Sequence, residues 1–356
     1  MTNTTSPIIF DGHNDFLLRF YRNSLTITAA LEGTDTGQMD LPRAKAGGFG
    51  GGFYALYVPG DLGNEARSSF EGKMNQPTYD IPLPEEVEWN DAIKVVLSEV
   101  ATFKKLEKAG FLTGCTSTKD ILAAFEHGVI AGVLHMEGAE AIDADFATLE
   151  VLYAAGLRSI GPVWSRPTQF GHGVPFRYPS TGDTGPGLTE LGKKLVTECN
   201  RLGIMLDVSH LNEKGFDDLA AITNAPIVAT HSNAHAICPH ARNLTDRQLA
   251  VIAESDGMVG LNFAVAFLRP DGQQDVNMDI ELMLRHLDHL METLGENRVG
   301  LGSDFDGADI PETIKDLSGL TRLREAMRQH GYSEDLMAKL CHGNWIRVLK
   351  KTWKEM

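Results

Sequence analysis

The chain reads Ile8-Ile9-Phe10-Asp11-Gly12-His13-Asn14-Asp15 near its start. Three apolar residues lead into a glycine turn, and an imidazole and a carboxylate then follow two residues apart. Residues i and i+2 of an extended chain point the same way, so the side chains of His13 and Asp15 can converge on one ion. Such a pair suits zinc, manganese or iron. A strand end whose polar residues only cap the backbone would show the same sequence pattern. The metal-binding interpretation therefore depends on whether comparable strand ends recur along the chain.

Short β-rich runs do recur along the 356 residues, with helical patterns between most of them. The runs are continuously apolar, which is typical of strands that are covered on both faces. They lie at about 7–12, 51–58, 129–136, 158–164, 204–209, 226–230, 258–263 and 299–303. Strand followed by helix, repeated in this way, predicts an α/β protein with a (β/α)8 TIM barrel as a single domain over residues 1–356. A doubly wound open sheet shows the same alternation and is the rival fold.

The segments between these runs predict helices and two insertions. Helical patterns cover 89–109, 143–155, 188–202, 213–222, 245–254 and 279–294, and a capping box from Ser117 to Asp120 opens another helix that reaches His127. Insertions at about 59–88 and 166–187, rich in glycine and proline, predict long loops near the barrel mouth. The tail, 318–356, predicts two or three extra C-terminal helices packed outside the barrel.

The composition of the chain argues against several classes of binding partner and structural site. The chain is 42% hydrophobic and 22% charged, with a formal net charge of −16, which argues against nucleic acid or an anionic membrane as a partner. Its 4 cysteines are widely spaced, so neither a disulfide framework nor a zinc knuckle is expected. Neither a secretory signal nor an apolar run long enough to cross a bilayer is visible, and a cytoplasmic protein is therefore expected.

Polar side chains collect at the C-terminal ends of the predicted strands, where a barrel gathers catalytic groups. The residues able to bind metal there are His13, Asp15, Glu137, His210, His231 and Asp304. Each has a plainer explanation, such as a hydrogen-bonded histidine, a helix-capping Glu137 or an acidic turn. Together, however, carboxylates packed without a cation would repel one another and lose hydration. A single catalytic zinc takes three protein ligands, so this number predicts two metals, with Glu137 able to bridge them, and hydrolysis as the reaction.

Three further residues are assigned to substrate binding. Arg242 follows the sixth strand by eleven residues, and its guanidinium could hold a substrate carboxylate, although a surface arginine at a helix start would look the same. Tyr57 and Trp164 stand at the ends of the second and fourth strands and face the same mouth.

With these residues identified, the chain resembles the renal (membrane) dipeptidase family of dinuclear zinc peptidases. The matching stretches occur in the family's order and span most of the chain. They are Asp11-Gly12-His13-Asn14-Asp15, His135-Met136-Glu137-Gly138, Asp207-Val208-Ser209-His210, Thr230-His231-Ser232-Asn233, Ala241-Arg242-Asn243-Leu244 and Gly302-Ser303-Asp304-Phe305-Asp306-Gly307.

The resemblance implies a TIM barrel with two zinc ions that hydrolyses the peptide bond of dipeptides, L-Xaa-D-Xaa or a broad range, with a metal-bridged hydroxide. By family roles, His13 and Asp15 bind one zinc, His210 and His231 bind the other, and Glu137 bridges them. Asp304 is then the catalytic acid/base, and Arg242 holds the free carboxylate of the dipeptide. The resemblance also implies a bacterial-type cytoplasmic member and a possible homodimer.

One position departs from the family pattern. The mammalian members carry a histidine after the fourth strand, in a Thr-His-Ser context, that helps to polarise the scissile carbonyl. This chain has Trp164 there, within Val163-Trp164-Ser165. His172, eight residues further on, is assigned that catalytic role, although it could equally be a solvated loop histidine.

Two other functions compete with this one. A different dinuclear amidohydrolase could act on cyclic amides, lactones or phosphotriesters, but such relatives commonly bridge their metals with a modified lysine after the fourth strand. No lysine lies between Arg158 and Gly192, which weighs against that site. A magnesium-dependent sugar-phosphate barrel or an inactive binding protein is the third possibility, and metal analysis would separate it from the first two.

Overall fold

The computed structural model describes residues 6–60 and 72–355. Its strands are β1 (Ile9–Asn14), β2 (Phe49–Tyr57), β3 (Tyr79–Ile81), β4 (Leu112–Gly114), β5 (Ile130–Glu137), β6 (Leu157–Gly161), β7 (Phe176–Tyr178), β8 (Met205–Leu206), β9 (Val228–Ala229), β10 (Met258–Asn262) and β11 (Val299–Gly302). Its α-helices are α1 (Phe16–Tyr21), α2 (Ile27–Glu32), α3 (Leu41–Gly47), α4 (Trp89–Lys108), α5 (Thr118–Glu126), α6 (Ala147–Ala155), α7 (Glu190–Leu202), α8 (Glu213–Ile222), α9 (Asp246–Glu254), α10 (Val265–Leu268), α11 (Glu281–Leu294), α12 (Leu320–His330), α13 (Glu334–Ala338) and α14 (Asn344–Thr352).

Parallel strands form a closed barrel. One sheet runs β1-β2-β5-β6-β8 and a second runs β11-β10-β9. Isolated parallel bridges join the two sheets at both edges, Asn14 with Phe305 and Asp207 with Val228. The backbone N–H of Asp15 donates to the carbonyl of Phe305 at 2.8 Å, and that of Val208 donates to Val228 at 2.9 Å. The strands therefore follow one another around the barrel in sequence order, which confirms the TIM barrel and excludes the open sheet.

The longer helices confirm the periodicity in the sequence, and their ends differ from the predictions by a few residues at most. Ser117 and Asp120 form the predicted capping box at the start of α5. Short elements were not predicted, among them α1, α2, α3 and β4, because three to seven residues are too few to show a period. β4 pairs with β5 but is not one of the eight strands that form the barrel.

Trp345, on the C-terminal helix α14, closes the base of the barrel. Its side chain has no exposed surface, and its indole N–H donates to the carbonyl of Leu301 at 3.1 Å. A Cβ atom at Gly12 would lie 2.5 Å from the indole, and one at Gly300 would lie 2.8 Å from it. The prediction that the whole tail packs outside the barrel is therefore wrong at Trp345, because small residues on the strands leave room for the ring.

The two insertions meet over the mouth of the barrel. β3 and β7 pair antiparallel, with Tyr79 opposite Tyr178 and Ile81 opposite Phe176. We call this two-stranded unit the ribbon. It packs on α10, where Phe267 stacks on Phe176 with ring centroids 6.0 Å apart. Part of the first insertion, residues 61–71, lies outside the described residues.

In residues 6–60 and 72–355, every helix is too short or too polar to cross a bilayer.

Candidate metal centre

Five strand ends bring the five predicted metal ligands and the predicted acid/base into one buried cluster. His13 lies within β1 and Glu137 ends β5, whereas Asp15, His210, His231 and Asp304 follow β1, β8, β9 and β11. Parallel strands in one barrel present their C-terminal ends at the same face, so residues far apart in sequence converge there. All are buried except Asp304, which is partly buried.

Glu137 stands at the centre of this cluster. Its Oε1 lies 2.9 Å from His210 Nε2 and 3.5 Å from His231 Nε2, and its Oε2 lies 3.7 Å from His13 Nε2. The Nε2 atoms of His210 and His231 are 3.2 Å apart. One oxygen therefore faces the His210–His231 pair and the other faces His13, which is the arrangement a bridging carboxylate needs.

His13, Asp15 and Asp304 form the other half of the cluster. Their ligand atoms lie within 4.8 Å of one another, and His13 Nε2 is 3.4 Å from Asp15 Oδ2. Asp304 has a backbone φ of 62°, in the left-handed region that a non-glycine residue rarely adopts. Its Oδ2 accepts a hydrogen bond from the Asn262 side chain at 2.9 Å. Backbone and partner together aim this carboxylate at the cluster.

The charges of the cluster suit divalent cations. Burial raises the pKa of Glu137 well above its usual range and raises that of Asp304, so uncompensated negative charge is costly here. Burial alone would lower the pKa of His13, but Glu137 and Asp15 raise it to about 10. Neither ring nitrogen of His13 has a hydrogen-bond partner in residues 6–60 and 72–355. Burial lowers the pKa of His210 and His231 well below the ordinary value, which leaves both neutral and able to bind metal.

Asp11, a buried carboxylate close to His13, was not predicted to have a role. Asp11 accepts hydrogen bonds at 2.7 Å from both the backbone N–H and the hydroxyl of Ser303. The Ser303 hydroxyl also lies 3.2 Å from the carbonyl of His13. Asp11 thereby joins β1 to the residue that follows β11. Its place in the stretch Asp11-Gly12-His13-Asn14-Asp15, which matches the family, is a signal that could have pointed to it.

Arg242 lies beside His210 and His231. Its guanidinium donates to the hydroxyl of Ser232 at 3.0 Å and to the carbonyl of His231 at 3.1 Å, and it lies 3.0 Å from His210 Nε2. Burial lowers the pKa of Arg242 to about 10, so it is still charged at neutral pH. It is therefore a buried cation at the edge of the cluster.

Aromatic rings form a wall next to this arginine. Trp164 is partly buried, and its ring centroid lies 5.3 Å from that of Tyr57 and 5.8 Å from that of His210. It also lies 5.7 Å from Phe176 of the ribbon. The structure thus brings Tyr57, Trp164 and Arg242 to the same side of the cluster.

The described hydrogen bonds of His172 are with residues other than Tyr57, Trp164 and Arg242. Its Nδ1 is 3.4 Å from the carbonyl of Gly187, and its own carbonyl accepts from the backbone N–H of Asn212 at 3.3 Å. The side chain is partly buried in the second insertion. Its catalytic role stays a prediction.

Comparison with known proteins agrees with this geometry. The model of the membrane dipeptidase family (peptidase family M19) matches residues 3–355. A metallo peptidase from Rhodobacter sphaeroides, solved with a phosphinate mimic of the dipeptide L-Ala-D-Ala, is 55% identical with a TM-score of 0.96 and covers 98% of this chain and 100% of its own. The structure of dipeptidase AC, also a metallo peptidase, is 55% identical with a TM-score of 0.95, over 98% of this chain and 99% of its own.

A sequence relative also covers most of this chain, but its description states no function. It is a protein of Klebsiella pneumoniae described as an "uncharacterized protein in pqqA 5'region", 46% identical over 267 residues, which are 74% of this chain and 98% of that protein. The family match covers nearly every residue, and the cluster contains His, Asp and Glu side chains that could hold a metal ion. The chain therefore belongs to the membrane dipeptidase family, and it is a metallopeptidase that hydrolyses dipeptides.

Proposed function

We propose that the chain hydrolyses L-Xaa-D-Xaa dipeptides, among a broad range of dipeptides, with two zinc ions held at the mouth of the barrel. His13 and Asp15 would hold one ion, His210 and His231 the other, and Glu137 both. The observation that carries the proposal is the position of Glu137, whose two oxygens face the two ligand groups separately. Imidazole and carboxylate groups are the ligands that zinc takes in hydrolases.

Two bound ions would polarise the peptide carbonyl and lower the pKa of the attacking water. Asp304 takes the proton from that water and delivers it to the leaving amine nitrogen. Its carboxylate lies within 4.8 Å of the ligand atoms of His13 and Asp15, within reach of a water held there. The hydrogen bond from Asn262 holds Oδ2 of Asp304, and the proton exchange is assigned to Oδ1.

Arg242 binds the free carboxylate of the dipeptide, and this contact limits the substrate to two residues. To do so its guanidinium exchanges contacts with His210 and Ser232 for the two carboxylate oxygens, which match its planar fork. A subsite that recognises mainly the carboxylate leaves the last side chain loosely held, so either configuration fits. The L-Ala-D-Ala mimic bound by the similar Rhodobacter sphaeroides protein supports a D residue at that position.

A panel assay on zinc-loaded protein tests the proposal. We expect turnover of L-Ala-D-Ala and L-Ala-L-Ala, and none of a lactone or a cyclic amide. Asp304→Asn should lose roughly 10²–10⁴-fold in kcat, while the metal content, read by elemental analysis, stays at two zinc ions per chain. Hydrolysis of the cyclic amide without dipeptide hydrolysis would overturn the substrate class, and full activity of Asp304→Asn would overturn the acid/base role. The cytoplasmic location and the homodimer stay predictions from the sequence.

A further inference from the structure

Asp207 joins the two strand ends that carry His210 and His231. Its Oδ1 accepts from the backbone N–H of Ser209 at 3.0 Å, from the Ser209 hydroxyl at 2.6 Å and from the backbone N–H of Thr230 at 2.9 Å. Its Oδ2 accepts from the Thr230 hydroxyl at 2.6 Å. Asp207 is only 3% exposed, so these bonds are shielded from water. The carboxylate therefore ties the residue before each histidine ligand to one buried point.

Thr230 lies between Asp207 and His231, and its hydroxyl can donate a hydrogen bond to only one of them. An ionised carboxylate only accepts, so the single hydroxyl proton of Thr230 points at Asp207. The Thr230 oxygen, 2.7 Å from His231 Nδ1, must then accept from it. The proton of neutral His231 consequently sits on Nδ1, and the lone pair sits on Nε2, the atom that faces Glu137 Oε1.

We infer that Asp207 and Thr230 are positioning residues that fix His231 in its metal-binding tautomer. The inference rests on the proposed role of His231 as a ligand. Partners behind a ligand histidine set both its ring orientation and its tautomer, and their loss typically weakens metal binding by about 10–100-fold. His210 has different partners at its Nδ1, the Ser165 hydroxyl at 2.9 Å and Arg242 Nε at 3.2 Å, so the effect should fall on His231.

We call the hydrogen-bonded chain from Asp207 through Thr230 to His231 the relay. Five variants test it by zinc titration against a chromophoric chelator. Thr230→Val keeps the shape of the side chain but removes the hydroxyl, and it should weaken one of the two zinc ions by about 10–100-fold. Thr230→Ser restores the hydroxyl and should bind both ions as the unmodified protein does. Thr352→Val is the matched control, since it removes a buried threonine hydroxyl that donates only to its own helix at 2.9 Å, and it should change neither affinity.

Asp207→Asn makes the sharpest prediction because it reverses the relay. An amide NH2 in place of Oδ2 would donate to Thr230, whose hydroxyl would then donate to His231 Nδ1 and force the ring proton onto Nε2. Asp207→Asn should therefore bind the weakened ion less tightly than Thr230→Val. Adding Thr230→Val to Asp207→Asn removes the reversed relay, so the double variant should bind that ion more tightly than Asp207→Asn alone. If Asp207→Asn acted only by removing negative charge, the double variant would bind that ion no more tightly than Asp207→Asn alone.

The outcomes separate this inference from the proposed function. Unmodified affinity in Thr230→Val, equal losses in Thr230→Val and Thr230→Ser, or a double variant no better than Asp207→Asn would each overturn the relay. If thermal melting shows that Thr230→Val does not fold, Asp207→Asn and Thr230→Ser decide, and equal affinity in those two overturns the relay. Failure of the proposed site would look different, because the unmodified protein would not bind two zinc ions or His231→Ala would keep both.

Discussion

Arg242 is a buried cation whose described contacts are with protein groups beside the cluster. In the structure its guanidinium contacts His210, Ser232 and the carbonyl of His231, and it lies over Phe267 with its Cζ 5.7 Å from the ring centroid. A guanidinium already stripped of water loses little more hydration when an anion arrives. This burial supports the proposal that Arg242 binds the carboxylate of the dipeptide.

Arg242→Met should raise KM for dipeptides. A hydrogen bond to a charged group contributes about 1.5–3 kcal/mol, which corresponds to roughly 10–150-fold in KM. For dipeptide amides, which lack the carboxylate, the variant and the unmodified enzyme should differ little. Steady-state kinetics on zinc-loaded protein, with metal content checked, gives the answer. Arg247→Met, which removes an exposed arginine that pairs with Asp217 and Glu213, is the control. An equal loss on dipeptides and on their amides would contradict the carboxylate role.

Glu99 is a buried carboxyl group that should make stability depend on pH. It has no exposed surface, and burial, helped by nearby Asp15, raises its pKa well above the ordinary value of 4.5. Between that value and the raised pKa, the folded protein holds a proton that the unfolded chain has lost, so this group makes stability fall as pH rises.

Glu99→Gln cannot titrate and should remove this contribution. The variant's free energy of unfolding relative to the unmodified protein should increase from about pH 5 to about pH 7, by at most roughly 1.4 kcal/mol per pH unit. Urea unfolding of the metal-free protein measures it, with exposed Glu85→Gln as the control. A difference that stays constant with pH would show that Glu99 is ionised in the folded protein.

At the scale of elements, the length of a pattern decides whether it can be predicted. The apolar runs that became β1, β5 and β10 and the amphipathic segments that became α4, α7 and α11 repeat often enough to be recognised. The ribbon does not, because β3 and β7 have three residues each and pair across almost a hundred positions. The same holds for the position of Trp345, since nothing in its own helix indicates that a ring will enter the barrel.

The start of α5 offers a test of a local feature that the sequence predicted. The Ser117 hydroxyl accepts from the backbone N–H of Asp120 at 3.1 Å, and Asp120 accepts from the backbone N–H of Ser117 at 3.0 Å. Ser117→Ala should lower the free energy of unfolding by about 1 kcal/mol. Ser98→Ala, at an exposed position inside α4, should be neutral or slightly stabilising. Equal effects of the two changes in urea unfolding would show that the capping box contributes nothing.

At the scale of the whole molecule, Trp345 connects the tail to the barrel core. It packs with Phe53 at a ring separation of 5.5 Å and with Phe10 at 6.5 Å. Trp345→Ala should cost about 3–5 kcal/mol of stability, because the strands around it cannot collapse into the cavity. Trp89→Ala removes a tryptophan that is 38% exposed and should cost far less. Thermal unfolding of both variants measures this, and similar losses would contradict the central position of Trp345.

The sequence predicted which residues form the candidate site but not the contacts that hold them in place. The ligand-bearing motifs stand at strand ends, and a barrel brings strand ends together, so the cluster of His13, Glu137 and His231 was predictable. The parts that depend on three-dimensional contacts were not, including the carboxylate–hydroxyl–imidazole relay from Asp207. Trp164 occupies the place where a catalytic histidine was sought, and no sequence argument could tell how far His172 reaches from its loop.

The most direct test of the account is anomalous diffraction at the zinc edge on a crystal of the zinc-loaded protein. We predict two peaks about 3.5–4 Å apart, one beside His13 and Asp15 and the other beside His210 and His231, with Glu137 between them. A single peak, or two peaks of which neither contacts Glu137, would contradict the dinuclear centre.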